Sequence, residues 1–377
     1  MSIRPSADAA FTACEFFAGG GLAGLGLTGF RTLLANDIDP AKARAFRANH
    51  REIPLIEGDV WNLTPADIVG APDLCWASSP CQDVSLAGAR GGLQARRSGA
   101  FWGFWALMRG LDAENRAPRI VVIENVAGLL TSGQGRDFAA VCAALSEAGY
   151  RVGALEMDAA LWLPQSRPRL FVVAMRDAEG PSTPAPSGPF HTPRLIEAHA
   201  RLPDAVKTAW AWWSVTPPPR RNQDLAALLQ PDAPLFDRAQ TEALLALLSP
   251  LHRARLDAIL AGGERRIGAA FRRVRTENGV KKQRLEVRFD GLAGCLRTPS
   301  GGSSRQYVLI CEGGEAGMRR LTGREAARLM GLPDDYRLPS SESGALKLMG
   351  DAVAVPVVTA LSGSLFRPAL GGRAAAA

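Results

Sequence analysis

One cysteine of this chain stands where a reactive thiol would be expected. Cys81 follows Pro80 in "ASSPCQDVSLAG", just past the apolar run "DLCWA". A cysteine kept only for packing behaves as a small hydrophobe, and it belongs inside such a run, as Cys75 does. A thiol of ordinary pKa is a poor nucleophile at neutral pH, so Cys81 needs a nearby positive charge or a helix N-terminus. The pattern predicts a candidate nucleophile with a partner elsewhere in the chain.

Two further segments could supply an acid and a positive charge. Arg167 and Arg169 stand in "LPQSRPRLFVVA", at the start of an apolar run, and Glu124 and Asn125 end the run "VVIENV". Each feature alone has a plainer interpretation, either a basic strand entry or an acid that caps the next helix. Together with Cys81 they predict a nucleophile, an acid and a guanidinium pair at one edge of a sheet, where ligand chemistry collects in such folds.

The elements that must position these residues alternate along the chain. Apolar runs such as "RTLLAN", "RIVVIEN" and "RLFVVAM" are separated by helical stretches such as "PAKARAFRANH" and "GRDFAAVCAALSEAG". This rhythm predicts a doubly wound α/β domain with a mostly parallel sheet covered on both faces.

The first predicted strand leads into the glycine-rich "EFFAGGGLAGLGLTGF". Such a turn lets a backbone approach a ligand closely, although tight strand-to-helix packing explains it equally well. The next strand ends in Asp37 and Asp39, either of which could accept hydrogen bonds from a ribose. Asp39 precedes Pro40 and suits a helix N-cap, so Asp37 is the preferred ribose acceptor. Asp59 could accept from an exocyclic amine or cap a helix. A GxxxxGK[ST] loop is absent, which favours adenosine without phosphates.

Composition changes after Asp177. The stretch "DAEGPSTPAPSGPFHTP" is rich in proline, glycine and serine and is predicted to be a linker. Residues 265–290 then carry nine basic and three acidic side chains, within a chain whose net charge is +7. This basic run favours a polyanionic partner, although a solvated face has the same composition.

The sequence also argues against several classes of protein. Its six cysteines form no CxxC pair and its four histidines no cluster, so neither a metal site nor a disulfide framework is expected. Eighteen consecutive apolar residues are found nowhere, and the N-terminus has no apolar segment typical of a signal peptide. We expect a cytoplasmic protein without membrane segments.

Six strings occur in an order that resembles the motif series of the cytosine-C5 DNA methyltransferases. They are "FFAGGG", "PCQ", "ENV", "QSRPR", "RRLTGREAARLMGLPDDY" and "GDAVAVPVV", and the match covers about residues 14–175 and 292–360. The resemblance implies a methyltransferase fold that binds S-adenosyl-L-methionine, with a smaller, irregular target recognition domain. It also implies methyl transfer to carbon 5 of a flipped-out cytosine in a specific duplex DNA sequence.

The resemblance assigns a role to each reacting residue. The thiolate of Cys81 attacks carbon 6 of the cytosine, and Glu124 protonates or hydrogen-bonds N3. Arg169 holds the cytosine O2, and Arg167 supports the thiolate and the acid. The cofactor residues are implied to be Phe17, Gly19, Gly21, Asp37, Ile38, Asp59, Pro80 and Asp351, the last in place of the family's usual asparagine. The DNA contacts are implied to be Gln82, Ser85, Arg90, Arg272, Arg273 and Arg275.

The predicted organisation follows from the same motifs. Residues 1–185 and 345–370 are predicted to form the catalytic and cofactor-binding domain and 186–320 the target recognition domain. Residues 321–344 would connect them, and 371–377 would be a disordered tail. The expected partner is double-stranded DNA, for a monomer associated with the bacterial nucleoid, with a cognate restriction endonuclease acting separately.

Two other functions share these motifs. The tRNA-methylating branch of the superfamily has the same catalytic residues, but its Cys-Phe-Thr tripeptide is absent here. A binding module that kept the fold and lost activity is the other alternative, and intact Cys81, Glu124 and Arg169 argue against it.

Overall fold

A computed structural model describes residues 10–80, 99–277, 279–298 and 305–371 of the chain. The chain divides into two compact units. The first comprises Met1–Asp158, Pro168–Pro219 and Val355–Ala377, and the second comprises Ala159–Arg167 and Arg220–Ala354. The boundaries predicted from the motifs are those of functional domains, whereas these units are defined by compactness. The predicted boundaries therefore stay predictions.

The first unit is built on one seven-stranded sheet. Its strand order is β3-β2-β1-β4-β5-β7-β6, and among these seven strands β7 runs opposite to the other six. The predicted, mostly parallel sheet is therefore confirmed. The strands are β1 (Phe11–Phe16), β2 (Phe30–Asp37), β3 (Leu55–Glu57), β4 (Leu74–Ala77), β5 (Ile120–Val126), β6 (Arg151–Asp158) and β7 (Pro168–Met175).

Helices cover both faces of this sheet. Successive residues of a strand point to opposite faces, and in β2 Leu34 packs into the large core that includes Phe104 and Phe138, whereas Ala35 packs with Phe46 on the other side. This is the doubly wound arrangement that the alternating runs predict. The helices of this part are α1 (Leu22–Gly26), α2 (Pro40–Asn49), α3 (Ala100–Ala113) and α4 (Arg136–Glu147).

The stretch predicted to be a linker, residues 177–193, is part of the first unit. Within it Phe190 is buried and its carbonyl accepts from the backbone N–H of Glu156, and Ser182–Thr183 pairs with Trp212–Trp213, where Trp213 is buried. The linker interpretation was wrong because composition does not show these buried aromatic anchors. The region contains β8 (Ser182–Thr183), β9 (Trp212–Trp213), α5 (Pro193–Ala200) and α6 (Asp204–Thr208).

The second unit contains a four-stranded antiparallel sheet of order β11-β10-β12-β13. Its core includes Leu256, Leu285 and Leu309. The smaller second domain of the predicted fold is thus present, and its sheet is regular. The strands are β10 (Arg266–Glu277), β11 (Val280–Arg288), β12 (Gln306–Glu312) and β13 (Glu315–Arg320), and the helices are α7 (Arg238–Leu245), α8 (Pro250–Ala261), α9 (Gly323–Arg328) and α10 (Glu342–Asp351).

The chain ends in the first unit with α11 (Val355–Leu361), a π-helical turn (Ser362–Phe366) and α12 (Arg367–Gly371). Ser362 donates from Oγ to the carbonyl of Thr28 at 2.8 Å. Within the described part of the chain, one helical stretch, Glu342–Gly371, has the length and apolar composition of a membrane span. Because 56% of its most apolar window is buried inside the protein, it also has the character of a core helix.

Candidate active site

The five parallel strands bring the predicted cofactor residues to one edge of the sheet. The turn after β1 follows Phe16, Asp37 ends β2, Asp59 follows β3, and Pro80 follows β4. Carboxyl ends of adjacent parallel strands share an edge, so these residues collect there. This edge of the sheet therefore carries the predicted cofactor residues.

The glycine-rich turn has an unusual backbone. Phe17, Gly19 and Gly21 all have positive φ, of 56°, 56° and 79°. A non-glycine residue in this region is uncommon, and such outliers gather at functional sites. A Cβ placed on Gly19 would meet no protein atom within 4 Å. Backbone conformation, and not crowding by the protein, therefore requires glycine at position 19, and the space beside it is open.

Asp37 anchors this turn. Its buried carboxylate accepts the backbone N–H of Gly19 on Oδ2 and that of Asp39 on Oδ1, both at 2.8 Å. A carboxylate oxygen can accept two hydrogen bonds, so each oxygen retains acceptor capacity for a ligand hydroxyl. The adjacent Ile38 is 62% exposed, an apolar surface beside a polar acceptor.

The other two acids of this edge cap helices. Asp39 accepts the backbone N–H groups of Ala41 and Lys42 at the start of α2, so the N-cap interpretation of this residue is confirmed. Asp59 is exposed and caps a 3₁₀ turn, accepting from the N–H of Trp61 at 3.1 Å. Contact of Asp59 with an exocyclic amine stays a prediction, as do the cofactor roles of Phe17, Gly21 and exposed Pro80.

Glu124 and Arg169 meet across β5 and β7. Glu124 lies opposite Phe171 and Arg169 lies opposite Val126, so the acid and the guanidinium are diagonal neighbours on one face of the sheet. Arg169 Nε is 3.1 Å from Glu124 Oε1, and their side chains are 13% and 8% exposed. The structure therefore joins these two predicted catalytic residues in a buried ion pair.

Asn125 ties this pair to the segment that leads to Cys81. Its Nδ2 donates to the carbonyl of Ser79 at 3.1 Å, and both residues are buried. The bond joins the end of β5 to the loop that follows β4. Sequence reasoning noted Asn125 but missed Ser79, because a serine in "ASSP" carries no signal of its partner.

Arg167 belongs to the second unit and is bonded there to the main chain. Its guanidinium is buried and donates to the carbonyls of Leu296 and Gly350 at 2.9 Å and also to that of Ala352. These bonds join two segments distant in sequence. The predicted support of a thiolate by Arg167 stays a prediction.

Asp351 lies at the end of α10 in the same unit. It is exposed and accepts a hydrogen bond from Thr298 Oγ1. The preceding residue, Gly350, packs so closely on the backbone of Arg297 and Thr298 that a Cβ on Gly350 would overlap that backbone. The predicted contact of Asp351 with the cofactor stays a prediction.

The predicted DNA residues divide into two groups. Gln82, Ser85 and Arg90 lie outside the described residues, as does the predicted nucleophile Cys81. The three arginines of β10 lie in the second unit, where Arg272 and Arg273 lie over aromatic rings and Arg275 pairs with Glu286. Among the described side chains, no group of three or more His, Cys, Asp or Glu residues could hold a metal ion.

Two buried titratable side chains next to the glycine-rich turn escaped sequence analysis. Glu15 in β1 accepts the backbone N–H of Gly24 on Oε2 at 3.0 Å, and burial raises its pKa to about 8. His50 lies 3.0 Å from the carbonyl of Gly20. Neither has a local signature, because its partners are set by the fold.

Comparison with solved structures identifies the fold. The Dnmt2 methyltransferase of S. pombe aligns with a TM-score of 0.56 at 17% identity, over 93% of this chain and 96% of that one. The methyltransferase EhMeth of Entamoeba histolytica aligns with a TM-score of 0.57 at 13% identity, over 96% and 98%. At these identities the likeness shows the fold alone, which is that of these methyltransferases.

Comparison of sequences identifies the family. The model of the C-5 cytosine-specific DNA methylases matches residues 11–367. The chain is 26% identical to the Type II methyltransferase M.NgoBI of Neisseria gonorrhoeae, over 88% of this chain and 85% of the relative. It is 25% identical to M.HaeII of Haemophilus aegyptius, over 93% and 91%. The chain belongs to the C-5 cytosine-specific DNA methylase family and is a DNA cytosine-5-methyltransferase.

Proposed function

We propose that this enzyme transfers a methyl group from S-adenosyl-L-methionine to carbon 5 of a cytosine flipped out of a specific duplex sequence, through a covalent adduct with Cys81. The observation that carries the proposal is the buried pair of Glu124 and Arg169. Asn125 links the end of the same strand to the segment that reaches Cys81. The acid is suited to bind the cytosine N3, and the guanidinium is suited to bind the cytosine O2.

The chemistry requires the cytosine ring to be activated first. Carbon 5 is barely nucleophilic, so the Cys81 thiolate adds to carbon 6 and forms a carbon–sulfur bond. A carboxylate only accepts, so Glu124 must be protonated in this step, and it then donates a hydrogen bond or its proton to N3 as charge builds there. A guanidinium has five N–H donors, so Arg169 can hold Glu124 through Nε and the cytosine O2 through another donor. Loss of the carbon 5 proton after methylation then breaks the bond to Cys81.

The turn and the strand ends fit the cofactor. Asp37 retains an acceptor site on each carboxylate oxygen for the ribose hydroxyls, and exposed Ile38 offers an apolar surface to the adenine. Phe17, Gly19 and Gly21 would hold the methionine end, where the space beside Gly19 is open. Asp59, Pro80 and Asp351 complete the proposed set. When bound, the cofactor supplies an electrophilic methyl group.

The second unit is proposed to recognise DNA. Arg272, Arg273 and Arg275 belong to a basic strand, and lysine and arginine side chains supply the attraction for phosphates that dominates DNA affinity. Gln82, Ser85 and Arg90 are proposed to contact DNA near the vacated base stack. We further propose a cytoplasmic monomer. The Type II names of the relatives favour an enzyme that acts beside a separate restriction endonuclease.

The covalent step can be tested without knowing the recognition sequence. A pool of randomised duplexes is made with 5-fluoro-2′-deoxycytidine in place of deoxycytidine, since carbon 5 then has no proton to lose and the adduct persists. We expect a complex stable to denaturing electrophoresis that requires both S-adenosyl-L-methionine and Cys81. Cys81→Ala removes the nucleophile, and Cys142→Ala, at a buried cysteine in α4, is the matched control. Equal trapping by Cys81→Ala would exclude Cys81 as the nucleophile.

A further inference from the structure

His50 is a buried side chain that the proposed reaction does not use. It follows α2, where its backbone N–H donates to the carbonyl of Phe46 at 2.8 Å. Its ring is buried, with its centroid 4.6 Å from that of Phe46. Its Nε2 lies 3.0 Å from the carbonyl oxygen of Gly20, thirty residues away in sequence. The ring therefore connects the end of α2 with the glycine-rich turn.

The chemistry of this contact fixes the tautomer. A carbonyl oxygen only accepts, so Nε2 must carry the proton and donate it to Gly20. Burial also lowers the pKa of His50, which keeps the ring neutral near pH 7. His50 is thus a neutral donor with a defined direction.

The turn is held by the protein at three successive residues. The N–H of Gly19 donates to Asp37, the carbonyl of Gly20 accepts from His50, and the N–H of Gly21 donates to the carbonyl of Ala18. Gly21 packs against the His50 ring so tightly that a Cβ at this position would overlap it. The backbone with positive φ is therefore fixed from the side of His50, whereas the space beside Gly19 stays open.

We propose that His50 is a positioning residue that holds the Gly20 peptide and thereby prepares the turn for the methionine end of S-adenosyl-L-methionine. The inference rests on the proposed binding of the cofactor at this turn. A turn already held in its bound conformation loses less conformational freedom when the ligand binds, so His50 raises cofactor affinity. The role inferred for His50 is in binding, so the chemical step should not depend on it.

Calorimetric binding of S-adenosylhomocysteine tests the proposal. His50→Phe fills the space without a donor, and we expect its dissociation constant to rise about fivefold to tenfold, because about one residue of the turn must then be ordered when the ligand binds. His50→Gln restores a donor and should bind within about twofold of the wild type. His191→Phe is the matched control, since His191 is a buried ring of the first unit that accepts from the backbone of Ser187. The KM for S-adenosyl-L-methionine should rise in His50→Phe with kcat unchanged.

Three results would overturn the inference. The first is wild-type affinity for S-adenosylhomocysteine in His50→Phe. The second is a His50→Gln variant that has the thermal midpoint of the wild type but does not regain its affinity, because His50 would then have only a packing role. If His50→Phe does not fold, nitrogen NMR of the wild type is decisive, since a protonated Nε2 whose signal shifts on ligand addition is required. An absent shift overturns the inference. Wild-type protein that binds no S-adenosylhomocysteine would instead remove the proposed cofactor site itself.

Discussion

Glu15→Gln should change how the stability of this enzyme depends on pH. Glu15 lies buried in β1, and burial, opposed by its hydrogen bonds from Gly24 and Ala23 and reinforced by the charge of Asp37, raises its pKa from 4.5 to about 8. Between these values the carboxyl is protonated in the folded state and ionised in the unfolded state. Its stabilising contribution is therefore complete below pH 4.5 and is lost as pH rises through about 8.

The magnitude follows from proton linkage. Over most of the interval from pH 5.5 to pH 8 the folded protein holds close to one more proton at Glu15 than the unfolded chain, and the difference falls to about half a proton at pH 8. A difference of one proton corresponds to about 1.4 kcal/mol per pH unit, so the wild type should lose about 3 kcal/mol over this interval relative to a variant that does not titrate. Glutamine has nearly the same shape and no ionisable proton, so Glu15→Gln should gain stability relative to the wild type as pH rises.

Urea unfolding followed by tryptophan fluorescence at several pH values measures this difference. Glu52→Gln is the control, because Glu52 is exposed and should leave the pH profile parallel to that of the wild type. All other titrating groups are common to the compared proteins and cancel in the difference. If the free energies of unfolding of Glu15→Gln and the wild type differ by the same amount at pH 5.5 and pH 8, Glu15 is not protonated in the folded state, and the reasoning from burial is refuted.

Two further predictions concern the proposed site. Arg169→Lys removes the Nε contact with Glu124, and loss of one preorganised donor should lower kcat about a hundredfold while S-adenosylhomocysteine affinity stays within about twofold. An unchanged kcat in steady-state assays would remove Arg169 from catalysis. Gly19→Ala places a Cβ at a φ of 56° and into the open space of the turn. It should lower the free energy of unfolding by about 1 kcal/mol and weaken S-adenosylhomocysteine binding at least about tenfold. If calorimetry finds that Gly19→Ala binds S-adenosylhomocysteine with wild-type affinity, the cofactor binds elsewhere.

The sheet could be predicted from sequence because its buried strands are apolar runs between helices. The direction of β7 could not, since the run "RLFVVAM" has the same pattern in a parallel and an antiparallel strand. The linker interpretation of the stretch after Asp177 failed for a related reason. Proline and glycine content describes the backbone, whereas the packing of this stretch is decided by buried Phe190, whose carbonyl accepts from β6, and by the pairing of Ser182–Thr183 with Trp212–Trp213.

The candidate site was only partly predictable. Glu124 and Arg169 stand in short motifs at a strand end and a strand start, and one register across β5 and β7 joins them. His50 directly follows a helix and Glu15 lies in a strand, and both elements look ordinary in sequence. Their partners, Gly20 and Gly24, are glycines whose positions only the folded turn determines.

The proposed activity is best tested by expression in a host that lacks cytosine methylation, followed by bisulfite sequencing of its genomic DNA. We expect protected cytosines in one short sequence context with the wild type, and none with Cys81→Ala, although the variant still binds S-adenosylhomocysteine. Protected cytosines in the same context with Cys81→Ala would contradict the covalent mechanism. Soluble wild-type protein that binds the cofactor and protects no cytosine would contradict the proposed activity on duplex DNA.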